Sequence, residues 1–300
     1  MSLQEEKPII EIKGLVKRFG KFTAVDNIDM TVNQGEIFGF LGPNGAGKST
    51  TIRILTTLSK PTSGQVLIGG YDVVKNPLAV KKQIGVVQQT VSFDRDLSLW
   101  DNMEMHARMH NLRGKEAKEA VRKSLEYAGL TDFADVLSND LSGGMRRIAQ
   151  IIRALMHNPQ IIFLDEPTTS LDAQTRRKIW SRIRLMREQG STVILTTHYI
   201  EEAEALCDRV AIIHKGKIIA MGTPLALRER VGLWTVEYAA MGMDTEYKHF
   251  ATEEQAKIFG LSLPENKHML KIRHSNLEDV FIEFTGTHVS EPHDSDKSLS

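Results

Sequence analysis

The sequence predicts an α/β fold: a core with parallel strands, an antiparallel β subdomain ahead of it, a helical subdomain inserted into it, and a small α+β appendage after it. Three observations carry this expectation. The runs "EIFGFLG", "IIFLDEP" and "TVILTTH" are short and mostly apolar, the pattern of strands buried on both faces of a parallel sheet. Residues near Ile9 to Asn33 alternate as antiparallel strands do, with "KRFGKFTAVDN" as a turn-rich interruption. From about Leu97 to Leu155 helix formers dominate, as in "GKEAKEAVRKSLEYAGL".

The first core strand runs into Gly42-Pro43-Asn44-Gly45-Ala46-Gly47-Lys48-Ser49, which fits G-x-x-x-x-G-K-[ST] and opens the amphipathic helix that continues through Thr50. Glycines reach backbone angles closed to other residues and carry no Cβ, so successive N–H groups can converge on an anion. The unpaired N–H groups and dipole of the helix start add to that attraction, and Lys48 brings a mobile cation to the outer phosphates. Ser49 offers a hydroxyl to Mg²⁺. A glycine-rich turn that only joins strand to helix would not need lysine, hydroxyl and spacing together. The fold class is therefore read as a phosphate-loop NTPase core.

Further along, "IIFLDEP" ends a strand with two carboxylates. Asp165 at the strand tip would hold Mg²⁺, directly or through water, and Glu166 would polarise a water for in-line attack on a γ-phosphate. "LSGGM" places Ser142-Gly143-Gly144 ahead of the helical run "MRRIAQIIRAL", a second N–H-rich anion site at a helix start. Read alone, it is equally a helix cap. One nucleotide already held by the phosphate loop leaves that site unused, so the simplest geometry has the "LSGGM" of one chain close over the γ-phosphate held by a second copy. His198, ending "TVILTTH", would donate to the γ-phosphate or orient the attacking water.

Composition narrows the partners. Lysine plus arginine number 38 against 38 acidic residues, so no overall field favours nucleic acid, and none is expected. The basic run Arg176, Arg177, Lys178, Arg182, Arg184 and Arg187 alternates with Ile179, Ile183 and Met186, which reads as a solvated helix face over an apolar stripe. The single cysteine, Cys207, cannot close an intrachain disulfide. "MSLQEEKPIIEIKG" has acidic residues and a proline where a secretory signal would have a basic end and an apolar run. The longest apolar runs are strand-sized, so any spanning of a membrane falls to another chain. His106 and His110 are four apart in a helical stretch, a metal-competent spacing, but no carboxylate or cysteine set accompanies them and no stable structural metal is expected. Met103, Met105 and Met109 suit either the core of the helical subdomain or an adaptable surface.

After "VAIIHKGKIIAMGTP" the appendage begins, and Ser275-Asn276-Leu277-Glu278 has the S-x-x-E form of a capping box, which places a helix start at Ser275. The expected limits are 8–227 for the phosphate-loop NTPase domain with its helical subdomain at about 97–155, 228–286 for the accessory domain, and 287–300 for a polar, disordered tail.

From roughly Ile9 to Pro224 the sequence resembles the nucleotide-binding subunits of ATP-binding cassette (ABC) transporters, with "GPNGAGKST", "VVQQ", "LSGGM", "IIFLDEP", "SLD" and "TTH" in the family's order. The resemblance implies that the core is of ABC type and that ATP and Mg²⁺ are its cofactors. It further implies that Gln89, or its neighbour Gln88, senses the metal and the membrane partner, that Ser170-Leu171-Asp172 form a link across a dimer, and that His198 contacts the γ-phosphate. An aromatic side chain stacks on adenine in the family; here the match is Phe19, with Phe22 as second choice. The ending "NLEDVFIEFTG" resembles drug-resistance and ABC-2 type export subunits. That implies an ATP-dependent homodimer at the cytoplasmic face of the membrane, driving separate permease subunits. A soluble ABC-type ATPase would be expected to carry a coiled-coil insertion or two cassettes, and a silent regulatory cassette to lack Glu166 or His198.

Overall fold

The computed structural model describes residues 8–90, 92–240, 243–264, 266–286 and 289. These form two compact units, one of the residues up to Phe38 with Ser49–Thr197, the other of Gly39–Lys48 with the residues from His198 onward. Apart from Val289, the polar segment 287–300 lies outside the described residues, as do residues 1–7.

In the first unit, β1 (Pro8–Phe19) and β2 (Phe22–Asn33) pair antiparallel, with Ile10 opposite Val32 and Ile12 opposite Met30. All four side chains are buried, so the period-two alternation seen in the sequence points one face of this ribbon into the core. β3 (Ile37–Leu41) is buried at every position, and the division between units falls within it. α1 (Lys48–Leu55) leads to β4 (Ser63–Ile68) and β5 (Tyr71–Asp72), which complete a four-stranded antiparallel sheet ordered β2-β1-β4-β5.

α2 (Pro77–Gln83) then precedes β6 (Ile84–Val87). The expected helical section consists of α3 (Leu99–Met109), α4 (Gly114–Ala128), a 3₁₀ turn at Thr131–Phe133 and α5 (Gly143–Leu155). The chain returns through β7 (Ile161–Asp165), α6 (Ala173–Glu188) and β8 (Thr192–Thr197). β6, β7 and β8 run parallel, with Ile84 opposite Ile161 and Ile161 opposite Thr192. The Val193 N–H donates to the Glu36 carbonyl at 3.0 Å, so the chain entering β3 runs beside β8. Burial on both faces explains why these strands read as apolar runs. A Cβ on Gly85 would lie 2.5 Å from the Ala154 carbonyl oxygen, so only glycine admits the end of α5 this close to β6.

On α6, Ile179, Ile183 and Met186 are buried, and Arg177, Lys178, Arg184 and Arg187 are exposed, as an amphipathic helix requires. The methionines of α3 divide: Met103 is fully buried, whereas Met105 and Met109 are exposed.

In the second unit, α7 (Ile200–Leu206) is followed by the hairpin of β9 (Arg209–His214) and β10 (Lys217–Gly222), turning through positive φ at Lys215 and Gly216. After α8 (Pro224–Val231) come β11 (Trp234–Ala240), β12 (Glu246–Phe250), α9 (Glu253–Leu261), β13 (Lys267–His274) and α10 (Leu277–Thr285). The three strands form an antiparallel sheet ordered β12-β11-β13. One expectation is corrected here, because the N-cap of α10 is Asn276 and not Ser275. Its side chain accepts from the Glu278 and Asp279 N–H groups at 2.9 and 3.1 Å, and the Asp279 carboxylate accepts from the Asn276 N–H at 2.7 Å. Ser275 is engaged elsewhere, its hydroxyl 2.8 Å from that of Thr235 on β11.

Candidate active site

The phosphate loop belongs to the second unit. A Cβ on Gly42 would sit 2.2 Å from the Ile213 carbonyl oxygen, so the loop leaves β3 pressed against β9 where no side chain fits. Gly45 and Gly47 hold φ of +77° and +109°, backbone angles that glycine reaches without steric cost. The loop is anchored by the Gly216 N–H, which donates to the Ala46 carbonyl at 2.9 Å. Asn44 and Gly45 are exposed, whereas Gly42, Pro43, Ala46 and Gly47 are buried. Lys48 is 4% exposed, and its ammonium donates to the Gly42 and Pro43 carbonyls at 2.7 and 3.0 Å, across the mouth of the loop. His198 is half-buried, its ring centroid 4.1 Å from that of Tyr199.

In the first unit, the end of β7 gathers oxygen donors. The Ser49 hydroxyl donates to Asp165 Oδ1 at 3.1 Å, and the Thr196 hydroxyl donates to the same oxygen at 2.5 Å. Thr196 Oγ1 in turn accepts from the Glu166 N–H at 3.0 Å, so one hydroxyl positions both acidic residues. Glu166 is buried and adopts φ +46°, a left-handed conformation that a non-glycine residue occupies at a cost of order 1–3 kcal/mol. Its carboxylate accepts from Gln89 Nε2 and from Thr169 Oγ1, each at 3.1 Å. Of the two neighbouring glutamines, Gln89 is thus the one whose side chain reaches the acidic pair. Thr50, beside Ser49 on α1, is half-buried.

Arg147 on α5 is the group that sequence reasoning missed. Its guanidinium donates to the carbonyls of Gln88, Asp165, Glu166 and Pro167 at 2.6, 3.0, 2.8 and 2.8 Å. It also meets Gln150 Oε1 at 2.9 Å. A single planar cation therefore ties the Gln88–Gln89 segment to the end of β7. The available signal was a basic residue on the same helical stripe as Gln150, Ile151 and Ala154, a face that is otherwise buried.

Ser142 is the N-cap of α5, its hydroxyl accepting from the Met145 N–H at 3.2 Å. A Cβ on Gly144 would meet the Thr175 methyl at 2.9 Å, so this glycine also lets α5 pack against α6; Gly143 faces open space. Ser142 and Gly143 are exposed. Ser170 holds φ +63°, and Asp172 caps α6 by accepting from the Thr175 N–H at 2.9 Å. Phe19 and Phe22 face one another across the β1–β2 turn and are both exposed, with the Lys17 ammonium 4.9 Å over the Phe19 ring.

Comparison with known proteins identifies the family. The profile of the family described as "ABC transporter" matches residues 25–169. The Nod factor export ATP-binding protein I of Cupriavidus metallidurans is 36% identical over 295 residues, covering 93% of this chain and 97% of that one. This chain belongs to the ABC transporter family. The linearmycin resistance ATP-binding protein LnrL of Bacillus subtilis is 41% identical over 224 residues, covering 75% of this chain and 72% of that one. Among solved structures, an ATP-binding cassette dimer in a post-hydrolysis state, bound to ADP and Pi, superposes with a TM-score of 0.66 at 30% identity, covering 71% of this chain and 98% of that one. The ABC ATPase described here therefore has the phosphate-loop fold of its relatives, binds ATP and is an ATPase. No helix among its described residues is long and apolar enough to cross a membrane.

Proposed function

We propose that this ABC ATPase is the energy-supplying subunit of an exporter, hydrolysing MgATP in a homodimer and driving separate integral membrane subunits from the cytoplasmic face of the membrane. The observation that carries the hydrolytic part is the paired arrangement at the end of β7, in which Ser49 and Thr196 converge on Asp165 while Gln89 and Thr169 hold Glu166. The export part is supported by the relatives, which are named for Nod factor export and for linearmycin resistance.

The residues fit Mg²⁺. Hydroxyl and carboxylate oxygens are the hard donors that ion takes, and Ser49 with Asp165 already share a hydrogen bond, so the two oxygens lie close enough to share a ligand. Ser49 and Asp165 would hold Mg²⁺, which would supply positive charge to neutralise the charge developing on the phosphate. The chain's own residues supply the rest. The backbone N–H groups from Gly42 to Gly47 cradle the phosphates, and Lys48, next to Ser49 in sequence, exchanges its loop carbonyls for phosphate oxygens. Glu166 accepts the proton of the attacking water, and Gln89, bonded to Glu166, adjusts its position. His198 donates to the γ-phosphate and Phe19 stacks on the base, with Phe22 as the other candidate. Ser142, Gly143 and Gly144 of a second copy complete the site. The ATPase domain is placed at residues 8–227 and an accessory domain at 228–286.

Glu166→Gln tests the assignment, because it keeps shape while removing the basic carboxylate. Steady-state turnover falls by about 10²–10⁴, while the affinity for MgATP measured by calorimetry is retained. Turnover within a factor of two of the parent would remove Glu166 from the chemistry. Co-purification with a polytopic membrane protein encoded beside this chain tests the transport role.

A further inference from the structure

We propose that His106, His110 and His157 form a binding site for one divalent transition-metal ion of the Zn²⁺ or Co²⁺ kind, separate from the ATP site and independent of the function proposed above. The sequence presents His106 and His110 as a pair without further ligands; folding supplies the third. His106 lies on α3, His110 caps that helix one turn later, and His157 follows α5. One ring nitrogen from each falls within 4.8 Å of the others.

The hydrogen bonding points to a ligand rather than to packing. His157 Nε2 lies 3.0 Å from the Ile84 carbonyl, which can only accept, so Nε2 carries the proton and Nδ1 carries a lone pair. That Nδ1 is buried and has no protein partner, and the same is true of His106 Nε2. Buried polar atoms are otherwise nearly always paired. An imidazole whose far N–H donates to a backbone carbonyl while its near nitrogen stays free has the arrangement metal-ligating histidines use to fix tautomer and ring orientation. Burial lowers the pKa of all three, that of His106 to about 3, which keeps the imidazoles in the neutral, ligating form at pH 7.

The chemistry of the donors selects the ion. With three nitrogens and no carboxylate, Mg²⁺ and Ca²⁺ are disfavoured and Zn²⁺, Co²⁺, Ni²⁺ or Cu²⁺ are favoured. About a tetrahedral ion with bonds of roughly 2.0–2.1 Å the nitrogens stand about 3.4 Å apart, so from a spread of up to 4.8 Å the cluster must contract by up to about 1.4 Å. The His110 ring lies between the other two, its centroid 4.6 Å from that of His106 and 3.7 Å from that of His157, so the closure falls on rotation of the His106 and His157 rings, whose centroids stand 6.3 Å apart. A cavity of about 330 Å³, lined also by Thr56, Gln88 and Ser92, leaves the fourth position to water. Arg153 opposes the ion, its charge being near His106, but its guanidinium is engaged with Ser92 and the Phe93 ring. An ion here would clamp α3 to the segment after α5 and to the start of β6, the strand that runs into Gln88 and Gln89.

Titration of the full, metal-free chain with Co²⁺ decides the matter, in excess Mg²⁺ so that oxygen-donor sites are filled. The expected result is one Co²⁺ per chain with the visible d–d bands of a low-coordinate, nitrogen-ligated ion, displaced by Zn²⁺. Loss of a partner one shell out costs about 10–100-fold in affinity, so His110→Ala and His157→Gln, which each remove a ligand, weaken binding by at least about tenfold. His110 is half-buried at a helix end, so His110→Ala retains a cooperative thermal transition and decides alone if His157→Gln does not fold. No binding at micromolar Co²⁺, binding unchanged in His110→Ala, or binding abolished instead by Asp165→Asn would each overturn the site.

Discussion

Thr196 illustrates how much of the site rests on single hydroxyls. Its Oγ1 donates to Asp165 and accepts from the Glu166 N–H, while its carbonyl accepts from that same N–H at 3.2 Å. Thr196→Val keeps the shape of a fully buried side chain and removes both hydroxyl bonds. Loss of a hydrogen bond to a charged group costs about 1.5–3 kcal/mol and of a neutral one about 0.5–1.5 kcal/mol, so the thermal midpoint falls, and turnover falls with it because Glu166 is less firmly held at its positive φ. Thr196→Ser restores both quantities. A valine variant with parental turnover would show that the peptide carbonyl alone suffices. At this scale the sequence was legible wherever chemistry is local. The phosphate loop, Asp165 and Glu166 announce themselves by residue type and spacing. Arg147 and His157 do not, because their partners lie on other elements: the guanidinium is read only once Gln88 and Pro167 are beside it, and the third imidazole only once α5 brings it to α3.

Among elements, the start of α10 shows what decides a cap when two registers compete. "SNLE" and "NLED" both fit a capping box, and tertiary contact chooses: Ser275 is drawn to Thr235, so Asn276 caps. Glu204 on α7 closes the same helix end by accepting from the Leu277 N–H at 3.0 Å. Burial raises the Glu204 pKa above 4.5, Arg228 and Arg273 acting in the opposite sense and Asp279 in the same sense. A raised carboxylate contributes stability that is complete below the unfolded-state pKa of 4.5 and is lost as pH rises through the folded value. At pH 7 the parent therefore carries a desolvated charge that glutamine lacks, while glutamine's amide oxygen still accepts from Leu277. Glu204→Gln raises the thermal midpoint at pH 7, and the gain shrinks toward pH 4. An unchanged or lowered midpoint at pH 7 would mean that the charge at the start of α10 outweighs its burial. The parallel strands needed no such arbitration. Their apolar runs admit only burial on both faces, which is why β3, β7 and β8 were legible from sequence alone.

At the scale of the whole molecule the site proposed here is completed by a second copy. Ser142 and Gly143 are exposed at the start of α5, a 13-residue helix whose first N–H groups are only partly used by the Ser142 cap. If this end closes over ATP held by a partner, uncleaved nucleotide stabilises the dimer because it is bound from both sides. Glu166→Gln prevents cleavage, so light scattering after size exclusion gives a dimer in MgATP and a monomer without it. Two further changes separate the cap from the interface. Ser142→Ala forfeits about 1 kcal/mol of capping yet leaves the glycine N–H groups accessible, so Glu166→Gln/Ser142→Ala still dimerises at raised ATP. Ser142→Arg places bulk at the anion-facing end, so Glu166→Gln/Ser142→Arg stays monomeric although the phosphate loop binds ATP with parental affinity. Dimers that persist with Ser142→Arg would place the contact elsewhere on the chain. Monomers of Glu166→Gln at saturating MgATP would leave a phosphate-loop ATPase whose site is complete within a single copy.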